Sequence, residues 1–165
     1  MQVTVDAAVP DWESFEFALE SASPETQFYY DTVTGEVHLT GPFEDDPGER
    51  ERIDADPWRY REVEPLGSTE VHDWMECFVA EVLDTPLRER LLRSLHGRGA
   101  FRRVKAELLA APAERARWFR YHDQRLKRSL ERWFEDHDVP VGAPPPWWPP
   151  SRPDVQRGGD ESRPR

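Results

Sequence analysis

Phe28-Tyr29-Tyr30-Asp31-Thr32-Val33-Thr34-Gly35-Glu36-Val37-His38-Leu39 decides the fold of this 165-residue chain. Aromatic and β-branched residues suited to a pleated surface stand on both sides of Asp31 to Glu36, where Gly35 can adopt positive φ. The pattern predicts an antiparallel hairpin. Working outward, Trp58 to Val63, stopped by Pro65, reads as a third strand. Between Val37-His38-Leu39 and Trp58, residues Phe43 to Pro57 are acidic and broken by Pro47, Gly48 and Pro57, which predicts a mobile loop; the trio Glu44-Asp45-Asp46 reads as solvated. Upstream, Trp12, Phe15, Leu19 and Ala22 recur every three or four residues with acids between them, predicting a short amphipathic helix.

Downstream the period stays helical. Ser68 is the expected N-cap of a helix whose apolar stripe is Val71, Trp74, Met75, Phe78, Val82 and Leu83. Pro86 opens a second helix with Leu87, Leu91, Leu92 and Leu95 inside, ended by Gly97. A third runs from about Ala100 with Phe101, Val104, Leu108 and Leu109. The longest runs from about Pro112 to His137 with Trp118, Phe119, His122, Leu126, Leu130, Trp133 and Phe134 on one face. The expected architecture is α+β: an N-terminal helix, a small antiparallel sheet of about three strands, then a packed set of four helices, forming one domain over residues 1–139. Residues 140–165, with Pro144-Pro145-Pro146-Trp147-Trp148-Pro149-Pro150 and a polar, Arg-containing end, read as a disordered tail.

Charge is divided along the chain. Residues 1–85 hold 22 acids and 4 bases, whereas residues 86–139 hold 14 bases and 8 acids. The helical half therefore either attracts an anionic partner or docks on its own acidic half. A net charge of −11 places DNA and RNA behind a protein or a phosphate-bearing ligand as partners. No apolar run approaches the roughly 20 residues of a membrane span, and Met1 to Asp6 lacks the pattern of a secretory signal, so the expected compartment is the cytoplasm. Cys77, the single cysteine, is expected as an inert buried thiol beside Trp74 and Phe78.

Gly97-Arg98-Gly99-Ala100-Phe101-Arg102-Arg103 followed by Lys105, together with Trp118-Phe119, Asp123, Arg125 and Leu126, resembles the bacterial Uncharacterised Protein Family 0158. The Asp31 to Glu36 turn, the Ser68 to Phe78 segment with Met75, and Trp133-Phe134 extend the resemblance over about residues 10 to 137. Val104 and His122 depart from it, standing where an aromatic and a basic residue are expected. The resemblance implies an α+β domain and assigns no activity.

The residues themselves offer several sites. Gly97, Arg98, Gly99, Arg102, Arg103 and Lys105 form a glycine turn leading into a basic first helical turn, where free backbone N–H groups and arginines suit a phosphate or carboxylate. A plain helix-ending and helix-starting role for the two glycines explains the same residues. Asp123 and Arg125 are candidates for structural ion pairs, Asp123 with Lys127 one turn on or with an arginine of the preceding helix. His122 reads as a core histidine. Trp147 and Trp148 are either an extended ligand motif for a partner groove or a segment folded back on its own domain. His38, His72, His96, His122 and His137 form no His-x-x-x-His pair, and neither a metal nor a cofactor is expected.

The leading functional reading is a non-enzymatic binding or regulatory module with an anion-binding basic helix face. The alternatives are an enzyme acting on a phosphorylated or carboxylated small molecule, with Asp123 or His122 in acid-base roles, and a purely structural domain whose basic helices neutralise its acidic half.

Overall fold

The computed structural model describes residues 1–42 and 46–148. Helix α1 (Trp12–Glu20) is capped by Asp11, whose carboxylate accepts from the Ser14 N–H. The sheet follows as β1 (Gln27–Asp31), β2 (Val37–Thr40) and, after α2 (Pro47–Ala55), β3 (Tyr60–Val63). Its order is β2-β1-β3, antiparallel throughout, with Phe28 opposite Leu39 and Val63, and Tyr30 opposite Val37 and Arg61. Gly35 takes φ +81°, and a Cβ there would lie 2.1 Å from the Val9 carbonyl oxygen, so the hairpin requires glycine for conformation and for space. The α+β architecture is as the sequence reading expects.

Helix α2 replaces the expected mobile loop over residues 47–55. Proline at its first turn is compatible with a helix, Asp46 caps the Gly48 N–H, Arg50 pairs with Asp54, and Ile53 is buried. Glu44 and Asp45 of the acidic trio lie outside the described residues. Helices α3 (Ser68–Ala80), α4 (Thr85–Ser94), α5 (Ala100–Leu109) and α6 (Pro112–Asp136) complete the fold. The cap of α3 is Gly67 rather than Ser68, which is already helical, and Asp84 caps α4 through the Leu87 N–H.

Two apolar cores share one spine. Phe15, Leu19, Phe28, Tyr30 and Val63 pack on Leu126, Leu130, Trp133 and Phe134 of α6, while Trp74, Met75, Phe78, Leu87, Leu91, Val104 and Leu108 pack on Trp118 of the same helix. With 25 residues at 1.5 Å each, α6 spans roughly 37 Å, long enough to serve both. The apolar stripes are narrower than the sequence predicts: Leu83 is 90% exposed, Leu109 65%, Phe119 52% and Leu92 43%. Leu83 follows the end of α3, and Phe119, one residue after buried Trp118, is turned about 100° from it.

The expected tail does not begin at residue 140. Val141 is fully buried in the first core, its N–H donates to the Gln2 carbonyl, and the Thr4 N–H donates to its own carbonyl. Gly142 donates to the Ala8 carbonyl at a point where a Cβ would meet the Ala7 carbonyl oxygen at 2.1 Å. Up to Trp148 the segment packs on the domain, its turn closed by the Trp148 N–H donating to the Pro145 carbonyl and its two indoles supplying apolar area. Residues 149–165 of the expected tail lie outside the described residues.

Candidate functional site

The glycine turn between α4 and α5 is built for shape. Gly97 and Gly99 both take φ +76°, the left-handed conformation, and Gly99 is the N-cap of α5 without a side-chain capping bond. The Arg103 guanidinium turns back and donates to the carbonyls of His96 and Arg98, satisfying acceptors that helix geometry leaves open. Arg103 thus belongs to the turn. The six residues of the candidate anion site divide accordingly: Gly97, Gly99 and Arg103 shape the turn, Arg98 is exposed beside it, and Arg102 and Lys105 stand one helical turn along on the rim of a cleft.

That cleft lies between α5 and α6 and encloses about 290 Å³. Ala106, Leu108, Leu109, Trp118 and Phe119 make its apolar walls, and Arg102, Lys105 and Arg115 surround it with positive charge. The Arg115 guanidinium lies 5.1 Å from the Phe119 ring centroid, held over a face that stays half-exposed. Among the described residues Arg102, Lys105 and Arg115 form no ion pair, unlike Arg90 with Glu107 or Arg117 with Glu114 and Glu81. The sequence reading missed Arg115 and Leu109 because nothing in a helical period says which edge of an apolar stripe its neighbours will leave uncovered; the signal was the Arg115–Phe119 spacing of four, which places cation over ring.

The other candidates fall elsewhere. Asp123 pairs with Lys127 at 2.7 Å, as expected, but both its carboxylate and the surrounding surface are exposed. Arg125 forms no ion pair among the described residues; it donates to the Tyr121 hydroxyl at 2.9 Å and lies 5.0 Å over that ring, because the i−4 neighbour within reach is a phenol. His122 packs between Trp74 and Trp118, with Nε2 3.5 Å from Glu20. Neither His122 nor Asp123 lines the α5–α6 cleft, and Asp123 borders a separate concavity with Lys127, Glu131, Trp147 and Trp148. Cys77 is exposed, correcting the expected buried thiol: it sits between Glu76 and Phe78 on the outer edge of the α3 stripe.

Trp147 and Trp148 fold back on their own domain. Both indole N–H groups donate to one Glu131 carboxylate oxygen, at 2.9 and 2.6 Å, Lys127 sits 5.2 Å over the Trp147 ring, and Trp147 meets Trp12 edge-on at 5.6 Å.

A second polar centre, unmarked in the sequence, fixes the sheet. Asp31 is 1% exposed and accepts from Arg59 Nε and Nη2 at 3.0 and 2.7 Å and from the Val33 and Thr34 N–H groups. Burial alone would raise its pKa, but these donors, Arg59 foremost, hold the carboxyl down at about 2. His38 sits alongside, with Nδ1 against Glu49 of α2 and Nε2 3.8 Å from Asp31.

No helix among the described residues is long and apolar enough to cross a membrane. Residues 12–144 match the model of the Uncharacterised protein family (UPF0158). The chain is similar to a UPF0158 protein of Pseudomonas aeruginosa, 29% identical over 133 residues, 81% of this chain and 86% of that protein. No solved structure matches the chain.

Proposed function

The chain belongs to the Uncharacterised protein family (UPF0158), and from the geometry of its α5–α6 cleft we propose that it is a non-enzymatic binding module taking an acidic, apolar-tipped segment of a partner protein. The observation that carries this reading is the combination of exposed Leu109 and Phe119 with the cations Arg102, Lys105 and Arg115, which form no ion pair among the described residues. An apolar side chain fills the floor while flanking acids meet the rim, and the rim charges steer encounter and reject basic segments. A cleft of about 290 Å³ suits one or two side chains better than a nucleotide.

The purely structural reading requires the basic helices to spend their charge on the acidic half. Among the described residues the ion pairs between the halves are Arg117 with Glu81, His122 with Glu20 and the Met1 amine with Glu135, and none involves the cleft rim. The enzymatic reading requires the arginines to converge with His122 or Asp123, and the cleft brings no such group to them.

Selection of random short peptides on the immobilised protein tests the proposal. Enriched peptides are expected to carry Asp or Glu flanking a Leu, Phe or Trp, and their binding should be lost in Arg102→Glu plus Arg115→Glu while the melting temperature is kept. Enrichment of basic or featureless peptides, or binding indifferent to that double change, overturns it.

A further inference from the structure

On the α3 face turned toward the α4–α5 turn, donor atoms of His72, Asp73 and Glu76 lie within 4.8 Å of one another. His72 Nε2 is 2.9 Å from the Leu95 carbonyl oxygen. A carbonyl only accepts, so Nε2 donates to it and Nδ1 is the ring nitrogen left to face outward. The Phe101 ring meets the imidazole edge-on at 6.3 Å, so both contacts that orient the ring come from elements outside α3. Nδ1 then faces Glu76 Oε1 at 3.5 Å. Two ligands about 2.1 Å from one metal at the tetrahedral angle are about 3.4 Å apart, so the Nδ1–Oε1 spacing of 3.5 Å matches one edge of such a site, and the exposed Asp73 carboxylate, within 4.8 Å of both, reaches the third position by side-chain rotation.

We propose that His72, Asp73 and Glu76 form a binding site for a divalent first-row transition cation. One imidazole nitrogen and two carboxylates suit Zn²⁺, Co²⁺ or Ni²⁺, and three protein ligands are too few for the six to eight oxygens that Ca²⁺ takes. The Leu95 carbonyl is the outer partner that fixes the imidazole tautomer, the role such carbonyls play behind ligating histidines. Spacing of His72 and Glu76 by four places both over one turn, and Asp73 completes the set from the adjacent helix edge. A bound ion tightens α3 against the α4–α5 turn through His72, independently of what the α5–α6 cleft holds.

The test titrates the full-length protein with Co²⁺, followed by visible absorption, and with Zn²⁺, followed by calorimetry. Saturable binding of a single ion with the visible bands of a low-coordinate Co²⁺ site is expected, weakened at least about tenfold in Glu76→Gln and abolished in His72→Ala. Glu76 is 57% exposed, so its glutamine variant retains the fold even if His72→Ala does not. Binding equally strong in Glu76→Gln and Asp73→Asn would place the ion elsewhere and overturn the proposal. So would a wild-type protein that binds neither ion at millimolar concentration. Zn²⁺-induced movement of the His72 nitrogen resonances, with those of His38, His96, His122 and His137 unmoved, gives an independent readout.

Discussion

The two ends of α6 serve two differently made halves. Around Trp133 and Phe134 the sheet, α1 and residues 139–148 close over aromatic rings, and several charged groups are paired there, Asp31 with Arg59, Glu131 with the Trp147 and Trp148 indoles and Glu135 with the Met1 amine, while the Tyr30 hydroxyl and the Trp133 indole N–H are buried without a hydrogen-bond partner among the described residues. Around Trp118 the packing is helix on helix, and the outer surface keeps exposed apolar side chains beside cations that form no ion pair among the described residues. The contrast teaches that the buried carboxylate of the sheet half is paired although that half keeps its excess of acids, whereas the cations at the cleft form no ion pair among the described residues. Such cations are the ones free to meet another molecule.

The comparison breaks most sharply at Asp31. Replacing it by Asn leaves the Arg59 guanidinium facing a neutral amide and is expected to cost about 3 kcal/mol of stability in urea unfolding. A loss under about 1 kcal/mol would mean the sheet half is not held by this pair.

Acid acts on the same group. Because the folded carboxyl titrates near 2, below its unfolded value of about 4, its contribution is complete above about pH 4 and is lost as pH falls toward 2. The difference amounts to about 2.5 kcal/mol, and Asp31→Asn should flatten the stability profile in that window.

Trp147→Ala is expected to lower stability by about 1.5 kcal/mol, since it removes the indole contact with Trp12 and the bond to Glu131. An unchanged melting temperature would return the indole to the role of a ligand for another protein.

The arginine pair of the turn sharpens the other half. Arg103→Ala should cost about 1 kcal/mol because two carbonyls lose their donor, whereas Arg102→Ala should stay within about 0.5 kcal/mol. Equal losses would remove the division between a structural arginine and a binding one. The smallest effect is expected from Asp123→Asn, an exposed pair one helical turn long worth about 0.4 kcal/mol by double-mutant cycle with Lys127.

Local chemistry wrote most of the elements into the sequence. The hairpin of residues 28–39, the third strand, the helix starting at Pro112 and the left-handed glycines 97 and 99 follow from backbone preferences and apolar period, which act over a few residues and survive without a tertiary context. Helix α2 was hidden because its proline and glycine read as breakers, when Pro47 occupies the one helical turn that tolerates it. Residues 140–148 were hidden because their placement rests on a single backbone bridge at Gln2 to Thr4 and on Trp12, over 130 residues away along the chain. Periodicity identified the apolar faces of α5 and α6, but their docking angle alone determined that Leu108 and Trp118 would be sealed while Leu109, Phe119 and Arg115 stayed open. The tilt of a long arginine was likewise invisible: Arg102 and Arg103 are equivalent as letters, and only the position of the His96 and Arg98 carbonyls separates them. Fold class, element order and charge division were thus set by the sequence through short-range propensities and period. Which side chains remained for a partner was decided by tertiary packing, because exposure is a property of what lies opposite a residue and not of the residue itself.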